Sequence, residues 1–290
     1  MKRFENFKRT RDFFIGIDSD GCAFDTMELK HKECFIPNTI KFWNLQPVSR
    51  YARESAEFVN LYSKWRGINR FPAIILTLEL LEKRYEVKRR NVKIPDINSL
   101  REWVREETKL GNITLKQKVE KIGDPILKTA LEWSTTINAA VADMVKGVAP
   151  FPFVRESLDR AVPYADMMVV SATPFSALNM EWEEHDIAKY VQAIAGQEMG
   201  SKTEHLSRAA SQKYAPGKML MIGDAPGDLK AARKNNALFF PVLPGEEEKS
   251  WEIFYREALD KFLKGEYAGG YEKKLIEEFE KHLPEIPPWE

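Results

Sequence analysis

The sequence lacks an excess of charge of either sign, and it contains only two cysteines. Its 290 residues include 44 Lys and Arg and 44 Asp and Glu, so the formal net charge is zero. Proteins that bind a polyanion through its phosphates usually carry a basic excess, so this balance does not favour a nucleic-acid partner. Cys22 and Cys34 lack the spacing of metal ligands, and two cysteines are too few for a disulfide scaffold.

Long hydrophobic runs are also missing. The apolar stretch that begins at Phe13 is interrupted by Asp18, which leaves it too short for a signal peptide or a membrane-spanning helix. We therefore expect a cytoplasmic protein with no membrane partner. Hydrophobic residues make up 43% of the chain, which is an ordinary globular composition, and this length suits one or two domains.

Short apolar segments alternate with helical patterns along much of the chain. Residues 13–17 read as a buried strand, and further strands are predicted in MMVVSATP, KMLMIGDAPGD and ALFFPV, with a weaker candidate in YVQAIAG. Strands that alternate with helices are typical of a parallel sheet with helices on both faces. We expect an α/β fold built on a Rossmann-like, doubly wound parallel sheet.

The strand pattern breaks off near residue 26 and resumes near residue 150. Within this interval Pro72 opens one predicted helix, Ser99 and Glu102 have the spacing of a capping box ahead of a second, and Asp124 followed by Pro125 starts a third. The interval is therefore predicted to be an inserted all-α domain.

These patterns divide the chain into three parts. The sheet domain is discontinuous and comprises residues 1–25 and 150–244, and the inserted helical domain comprises residues 26–149. Residues 245–290 are charged and amphipathic, so we expect a helical extension packed on the sheet domain.

Polar side chains follow the predicted strands. Asp18 ends one strand, Ser171 another and Asp224 a third. Ligands of open parallel sheets bind beyond the carboxyl ends of the strands, so these residues are expected to meet there. Carboxylates that lie close together repel one another unless a cation neutralises them. A cluster of Asp18, Asp20, Asp224 and Asp228 therefore indicates a Mg²⁺ site, because Mg²⁺ prefers oxygen ligands.

Four short motifs, in order along the chain, resemble those of the haloacid dehalogenase superfamily. DSDGCAFD is similar to the first, D-x-D-G after a buried strand, and VVSATP to the second, a strand that ends in Ser or Thr. Lys202 in GSKTEHL matches the third, and MLMIGDAPGD looks like the fourth. Each motif alone is weak, but all four in order on the expected elements are a specific signature. The resemblance implies the sheet fold with a helical cap between the first and second motifs.

The resemblance also implies a reaction, hydrolysis of a phosphate ester. Asp18 would be the nucleophile that takes the phosphoryl group, and Asp20 would protonate the leaving oxygen and later deprotonate water. Asp20 favours phosphate chemistry over dehalogenation, because the carbon-acting members lack an aspartate at that position. Cys22 departs from the pattern, since the family often has threonine there. The remaining implied roles are phosphate binding by Ser171, Ala172 and Lys202, and Mg²⁺ binding by Asp18, Asp20, Asp224 and Asp228.

The large insertion resembles the caps of members that act on small molecules, so we expect a small phosphorylated metabolite as substrate and a monomer or homodimer. In KWRGINRFP, Lys64, Arg66 and Arg70 loosely resemble the specificity segment of β-phosphoglucomutase-like members, although both arginines could equally be surface charges. Lys202 could also be a surface lysine, and Lys218 is the other candidate for the lysine of the third motif. Two other functions stay open: a phosphomutase or phosphotransferase of the β-phosphoglucomutase type, and a non-catalytic binding protein with this fold.

Overall fold

A computed structural model describes Phe4 and residues 7–290. The strands are β1 (Phe13–Ile17), β2 (Ala165–Val170), β3 (Ala193–Ala195), β4 (Met219–Gly223) and β5 (Leu238–Pro241). They form one sheet in the order β3-β2-β1-β4-β5, and every pairing is parallel. The predicted α/β class with a doubly wound parallel sheet is confirmed. The chain adds β2 and β3 on one side of β1 and β4 and β5 on the other. Ligands of such sheets bind beyond the carboxyl ends of the strands where this change of direction occurs, which here is next to β1.

Strand β1 is covered on both faces, as its nearly continuous apolar sequence predicts. Ile15 and Ile17 belong to one buried hydrophobic cluster and Phe14 to another, as expected from the alternation of side chains along a strand. A side chain at Gly16 would meet the side chain of Leu206 at 3.0 Å. Glycine at this position therefore lets a helix pack closely against the central strand.

Between β1 and residue 144 the described chain is mainly helical. A π-helical turn, Lys30–Phe35, joins the first two helices, and a short 3₁₀ turn, Gln46–Val48, precedes the third. The helices of this region are α1 (Thr26–Leu29), α2 (Ile36–Phe42), α3 (Ser49–Leu61), α4 (Arg70–Lys83), α5 (Tyr85–Arg89), α6 (Asn98–Glu106), α7 (Asn112–Ile122) and α8 (Pro125–Met144).

The remaining helices alternate with the strands or follow them. They are α9 (Val154–Ala161), α10 (Phe175–Glu184), α11 (Lys202–Ala209), α12 (Pro226–Lys234), α13 (Glu247–Ile253), α14 (Leu259–Lys264) and α15 (Gly270–His282), and a π-helical segment, Phe254–Ala258, links α13 to α14. Within the described residues, no helix is both long enough and apolar enough to cross a bilayer.

Helix starts in the inserted segment agree only partly with the predictions. Asp124 caps α8 as expected, since its Oδ1 accepts hydrogen bonds from the N–H groups of Ile126 and Leu127 at 2.9 Å. The capping box at Ser99 was wrong: α6 begins at Asn98 with no side-chain cap. The Ser99 hydroxyl instead donates to Asp124 at 2.8 Å, so a tertiary contact replaces the local one.

The density of contacts divides the chain into two compact units. One, here called the sheet unit, comprises the residues up to Met27 together with Gly147–Pro284. The other, the helical unit, comprises Glu28–Lys146 together with Glu285–Glu290. The helices between residues 247 and 282 belong to the sheet unit, whereas the last six residues belong to the helical unit.

The helical unit has its own aromatic core, which contains Trp43, Trp103 and Trp133. The terminal segment contributes Trp289, whose ring lies 4.3 Å from the Arg84 guanidinium and edge-on to Phe58 with ring centroids 5.6 Å apart. These contacts explain why the last residues belong to the helical unit.

Candidate active site

The first site residue, Asp18, directly follows β1. Its N–H continues the strand pairing by donating to the Ile222 carbonyl at 3.0 Å, and its side chain is nearly buried, since the residue is 4% exposed. The Ser19 N–H donates to Asp18 Oδ1 at 2.8 Å. The backbone therefore fixes both the position and the rotation of this carboxylate.

Two further aspartates join Asp18 at the same edge of the sheet. Asp224 follows β4, Asp228 lies in the first turn of α12, and the three residues offer carboxylate oxygens within 4.8 Å of one another. Asp228 approaches closely because Gly223 has no side chain, since a Cβ on Gly223 would lie 2.4 Å from Asp228 Cβ. The G-D-x-x-x-D spacing thus has a steric reason in this fold.

Lys202 provides the positive charge for this cluster. Its Nζ lies 2.6 Å from Asp18 Oδ2 and 2.6 Å from Asp228 Oδ1. Lys202 is the first residue of α11, and a capping box formed by Ser201 and Glu204 fixes the start of that helix. The other candidate, Lys218, lies at the opposite end of the sheet, where its ammonium group is 5.1 Å from the centroid of the Phe13 ring.

Burial dominates the electrostatics of the cluster. Desolvation raises the pKa of Asp18 to about 6 against the opposing attraction of Lys202, and it raises the pKa of Asp228 to about 6 in the same way. Burial alone would lower the pKa of Lys202, but the neighbouring carboxylates of Asp18 and Asp228 raise it above the usual value. The cluster thus combines an ammonium ion with carboxylates that have a raised affinity for protons.

Asp20 stands apart from this cluster and is held by two hydroxyl groups. The Thr26 hydroxyl donates to Asp20 Oδ1 at 2.6 Å, and the Thr173 hydroxyl donates to Asp20 Oδ2 at 2.6 Å. Cys22, where a threonine was expected from the family pattern, is fully buried in the turn. Both threonines were missed in the sequence, although Thr173 lies within the quoted VVSATP motif.

The strand end that carries Ser171 is ordered by backbone contacts. Ser171 is 2% exposed, its N–H donates to the Ala195 carbonyl at 3.0 Å, and its hydroxyl oxygen accepts from the Thr173 N–H at 3.2 Å. Ala172 is exposed. The segment therefore presents a buried hydroxyl and an exposed backbone next to the threonine that contacts Asp20.

The three basic residues proposed for specificity all have partners within the helical unit. Lys64 forms an ion pair with Glu285 at 2.5 Å, and Arg66 is 2% exposed and donates to the Leu61 carbonyl at 2.9 Å. Arg70 is half-buried, where its Nη1 donates to the side-chain oxygens of Ser134 and Asn138 at 3.1 and 2.7 Å, and to the Ser134 carbonyl at 3.1 Å. Burial lowers the pKa of Arg70 to about 10. Their role in specificity stays a prediction.

The donor set at the sheet edge fits a hard divalent cation. Asp18, Asp224 and Asp228 are carboxylates that converge in a buried site, and Mg²⁺ binds through carboxylate oxygens and water. Nitrogen and sulfur ligands, which would favour zinc, do not join this cluster among the described residues.

Comparison of the sequence with protein-family models and with curated proteins finds no match. Among solved structures, the chain is similar to a haloacid dehalogenase-like hydrolase family protein from Streptococcus pneumoniae, with 14% identity over 84% of this chain and 90% of that one and a TM-score of 0.43. It is also similar to a predicted phosphoglycolate phosphatase from Haemophilus somnus, with 11% identity over 81% and 86% of the two chains and a TM-score of 0.47.

A third similar structure is a haloacid dehalogenase superfamily hydrolase of subfamily IA from Geobacter sulfurreducens, with 13% identity over 81% and 89% of the two chains and a TM-score of 0.41. Two of these three structures are described as haloacid dehalogenase hydrolases and one as a predicted phosphatase. At these identities and TM-scores, the reaction has to be inferred from the site's own geometry.

Proposed function

We propose that this protein is a Mg²⁺-dependent phosphatase that hydrolyses a small phosphorylated metabolite through an aspartyl-phosphate intermediate. One observation carries the proposal: Lys202 Nζ lies 2.6 Å from both Asp18 and Asp228, inside a buried carboxylate cluster at the carboxyl edge of the sheet. Phosphoryl transfer depends mainly on positioning and charge neutralisation, and this cluster combines an oriented carboxylate with the charges that a phosphoryl group requires.

Asp18 is the proposed nucleophile. Its carboxylate oxygen attacks phosphorus, the ester P–O bond breaks, and the bonding electron pair leaves with the ester oxygen. The hydrogen bond from Ser19 N–H to Oδ1 fixes the carboxylate in one orientation, which lowers the entropic cost of the attack.

Asp20 is the proposed acid and base. Its carboxylic acid proton passes to the leaving oxygen; its carboxylate then takes a proton from water as that water attacks phosphorus and releases Asp18. The hydroxyls of Thr26 and Thr173 hold both of its oxygens, and a threonine hydroxyl can also accept a hydrogen bond after rotation. Both protonation states of Asp20 can therefore be accommodated in one position.

The phosphoryl group would be held by the Ser171 hydroxyl, the Ala172 backbone and the Lys202 ammonium group. Asp18, Asp224 and Asp228 would hold Mg²⁺, together with the Asp20 backbone carbonyl. The cation would supply charge neutralisation, both to the carboxylates and to the phosphoryl oxygens. We keep the cytoplasm as the proposed location, because Cys22 and Cys34 are both free thiols.

The test is a phosphate-release screen over phosphorylated metabolites with Mg²⁺, with and without a chelator. We expect at least one metabolite to be hydrolysed, and activity to disappear with chelator. Asp18→Asn should lose nearly all turnover and keep its circular dichroism spectrum. Asp20→Asn should slow the reaction most for esters with poor leaving groups.

Asp25→Asn is the matched control, because Asp25 lies in the same turn but is exposed. It should retain activity close to that of the unmodified protein. Substantial turnover by folded Asp18→Asn would eliminate the nucleophile assignment. Formation of an isomeric sugar phosphate without net phosphate release would indicate a mutase instead.

A further inference from the structure

The residue between the two catalytic aspartates, Ser19, is tied through its side chain to α10. We propose that Ser19 and Glu181 are positioning residues that fix the turn carrying Asp18 and Asp20, and thereby aim the Asp20 carboxyl group at the leaving oxygen. This inference rests on the proposed phosphatase reaction. Neither residue was singled out by the sequence motifs.

Ser19 is fully buried, and its hydroxyl group uses both of its hydrogen-bonding functions. It donates to Glu181 Oε2 at 2.9 Å and accepts from Trp182 Nε1 at 2.9 Å. These two hydrogen bonds together favour one orientation of the Ser19 hydroxyl group. The side chain therefore fixes the position of the backbone between Asp18 and Asp20.

The backbone of Ser19 passes this restraint to both aspartates. Its N–H donates to Asp18 Oδ1 at 2.8 Å. Its carbonyl accepts from the N–H groups of Ala23 and Phe24 at 2.9 and 3.1 Å, which closes the turn that contains Asp20. Gly21 allows this turn, because its φ of 72° lies in the left-handed region.

The segment that leads into α10 also contacts the turn. Thr173, two residues before the start of α10, donates its hydroxyl hydrogen bond to Asp20 Oδ2 at 2.6 Å. Phe24 packs edge-on against Trp182, with ring centroids 5.8 Å apart. The helix and the turn are therefore joined by a hydroxyl network and by an aromatic contact, and a shift of the turn relative to α10 would displace Asp20.

A purely structural role makes a different prediction. If the hydrogen bonds of Ser19 only stabilise the fold, their loss would lower the amount of folded enzyme and so reduce the rate equally for every substrate. Misplacement of a catalytic group by about 1 Å can cost about a hundredfold in rate. If the displaced group is the acid, the loss falls on esters whose leaving oxygen needs the proton.

The experiment compares three variants with the full-length protein and Mg²⁺: Ser19→Ala, Glu181→Leu and Glu181→Gln. Each is assayed with an alkyl phosphate and with p-nitrophenyl phosphate, whose leaving group departs without protonation. Ser19→Ala and Glu181→Leu should lower kcat/KM about ten- to a hundredfold for the alkyl ester and no more than about threefold for the aryl ester. Glu181→Gln should stay close to the unmodified protein, because its amide oxygen still accepts from Ser19.

Two further measurements separate positioning from folding. The calorimetric affinity for inorganic phosphate should be unchanged in all three variants, since the proposed phosphate-binding groups are not altered. Glu183→Leu is the matched control on α10, because Glu183 is exposed, and it should behave like the unmodified protein with both esters.

Equal losses with the two esters, or no loss with either, would overturn the positioning role while leaving the phosphatase intact. A loss of the same pattern in Glu183→Leu would overturn it too. If Ser19→Ala does not fold, the comparison of Glu181→Leu with Glu181→Gln tests the positioning role instead. Failure of all three variants to fold would show that these residues have a structural role and not a positioning role. An unmodified protein that hydrolyses no phosphate ester with Mg²⁺ would refute the proposed function, and the positioning role with it.

Discussion

Replacing Lys202 by methionine removes an ammonium group and keeps most of the side-chain volume. In the intact protein this group lies 2.6 Å from Asp18 and 2.6 Å from Asp228, and its side chain is 17% exposed. Removing one partner from a buried ion pair leaves the other uncompensated, which typically costs about 3–5 kcal/mol. We expect a loss of this size in the free energy of unfolding of the metal-free protein at pH 7.

The loss should shrink as the pH falls. Burial, opposed by Lys202, raises the pKa of both carboxylates to about 6, so at pH 5 they are largely protonated and the ammonium group has less charge to neutralise. Without Lys202 these pKa values rise further, so the folded variant keeps protons between pH 6 and 7 that the unmodified protein releases. Each such proton changes the difference in free energy of unfolding between the unmodified protein and the variant by about 1.4 kcal/mol per pH unit. The destabilisation at pH 5 should therefore be smaller by about 1.4–2.8 kcal/mol for one or two protons.

Urea unfolding of metal-free protein at pH 5 and pH 7 measures both quantities. Lys218→Met is the matched control, because Lys218 lies at the other end of the sheet, and it should change stability by less than about 0.5 kcal/mol at either pH. A loss below about 1 kcal/mol at pH 7, or the same loss at both pH values, would refute this electrostatic account of the cluster.

Three further predictions follow from charge and contact. Mg²⁺ affinity, measured by calorimetry, should fall about tenfold for each carboxylate that must lose a proton between pH 6 and 5, whereas a pH-independent affinity would exclude these ligands. Trp289→Ala should destabilise the protein in thermal unfolding by about 1–3 kcal/mol through loss of the Arg84 and Phe58 contacts, while the exposed Glu290→Ala should not. Asp166→Ala should lower the free energy of unfolding in urea by at least about 3 kcal/mol, because this 1% exposed carboxylate accepts hydrogen bonds from two backbone N–H groups and three side chains. Asp159 is exposed, and an effect no larger than that of Asp159→Ala would contradict this account.

The strands could be predicted because their apolar runs are buried on both faces of the sheet. MMVVSATP includes the last four residues of β2, and KMLMIGDAPGD contains all of β4; both strands end where the polar site residues begin. The weaker candidate, YVQAIAG, forms only the three-residue strand Ala193–Ala195. Its small side chains carry little of the hydrophobic signal that identifies an interior strand.

Helix boundaries followed tertiary contacts that a local pattern does not contain. Pro72 was predicted to open a helix, but α4 begins at Arg70, where the Asn69 side chain accepts from the Phe71 N–H at 3.0 Å. The same predicted helix is interrupted at Arg84, which adopts an extended conformation. Arg84 contacts Glu54 at 2.7 Å and also Trp289, so the interruption depends on residues distant in sequence.

The side chains of Asp18, Lys202, Asp224 and Asp228 lie together, because strand ends and helix starts of this topology share one edge of the sheet. The roles assigned to them from the sequence stay predictions. The hydroxyl groups around Asp20 and Ser19 were not predicted. Thr173 is 153 residues away from its hydrogen-bond partner Asp20, and Glu181 is 162 residues away from its partner Ser19. Serine and threonine also have many ordinary uses, so neither stands out in the sequence.

Strand β1 is the middle strand of the sheet, yet both of its neighbours follow much later in the chain. Phe13 pairs with Ala165 and Phe14 with Met219, so the segment bearing Asp18 leaves the ribosome long before a partner strand exists. Pairing between such distant segments is slow. The helical unit is also completed late, because Glu285–Glu290, which belong to it, follow all the residues of the sheet unit in the chain. We therefore expect that neither unit reaches its final structure before these late segments have been synthesised, and that the nascent chain needs protection of its apolar β1 until then.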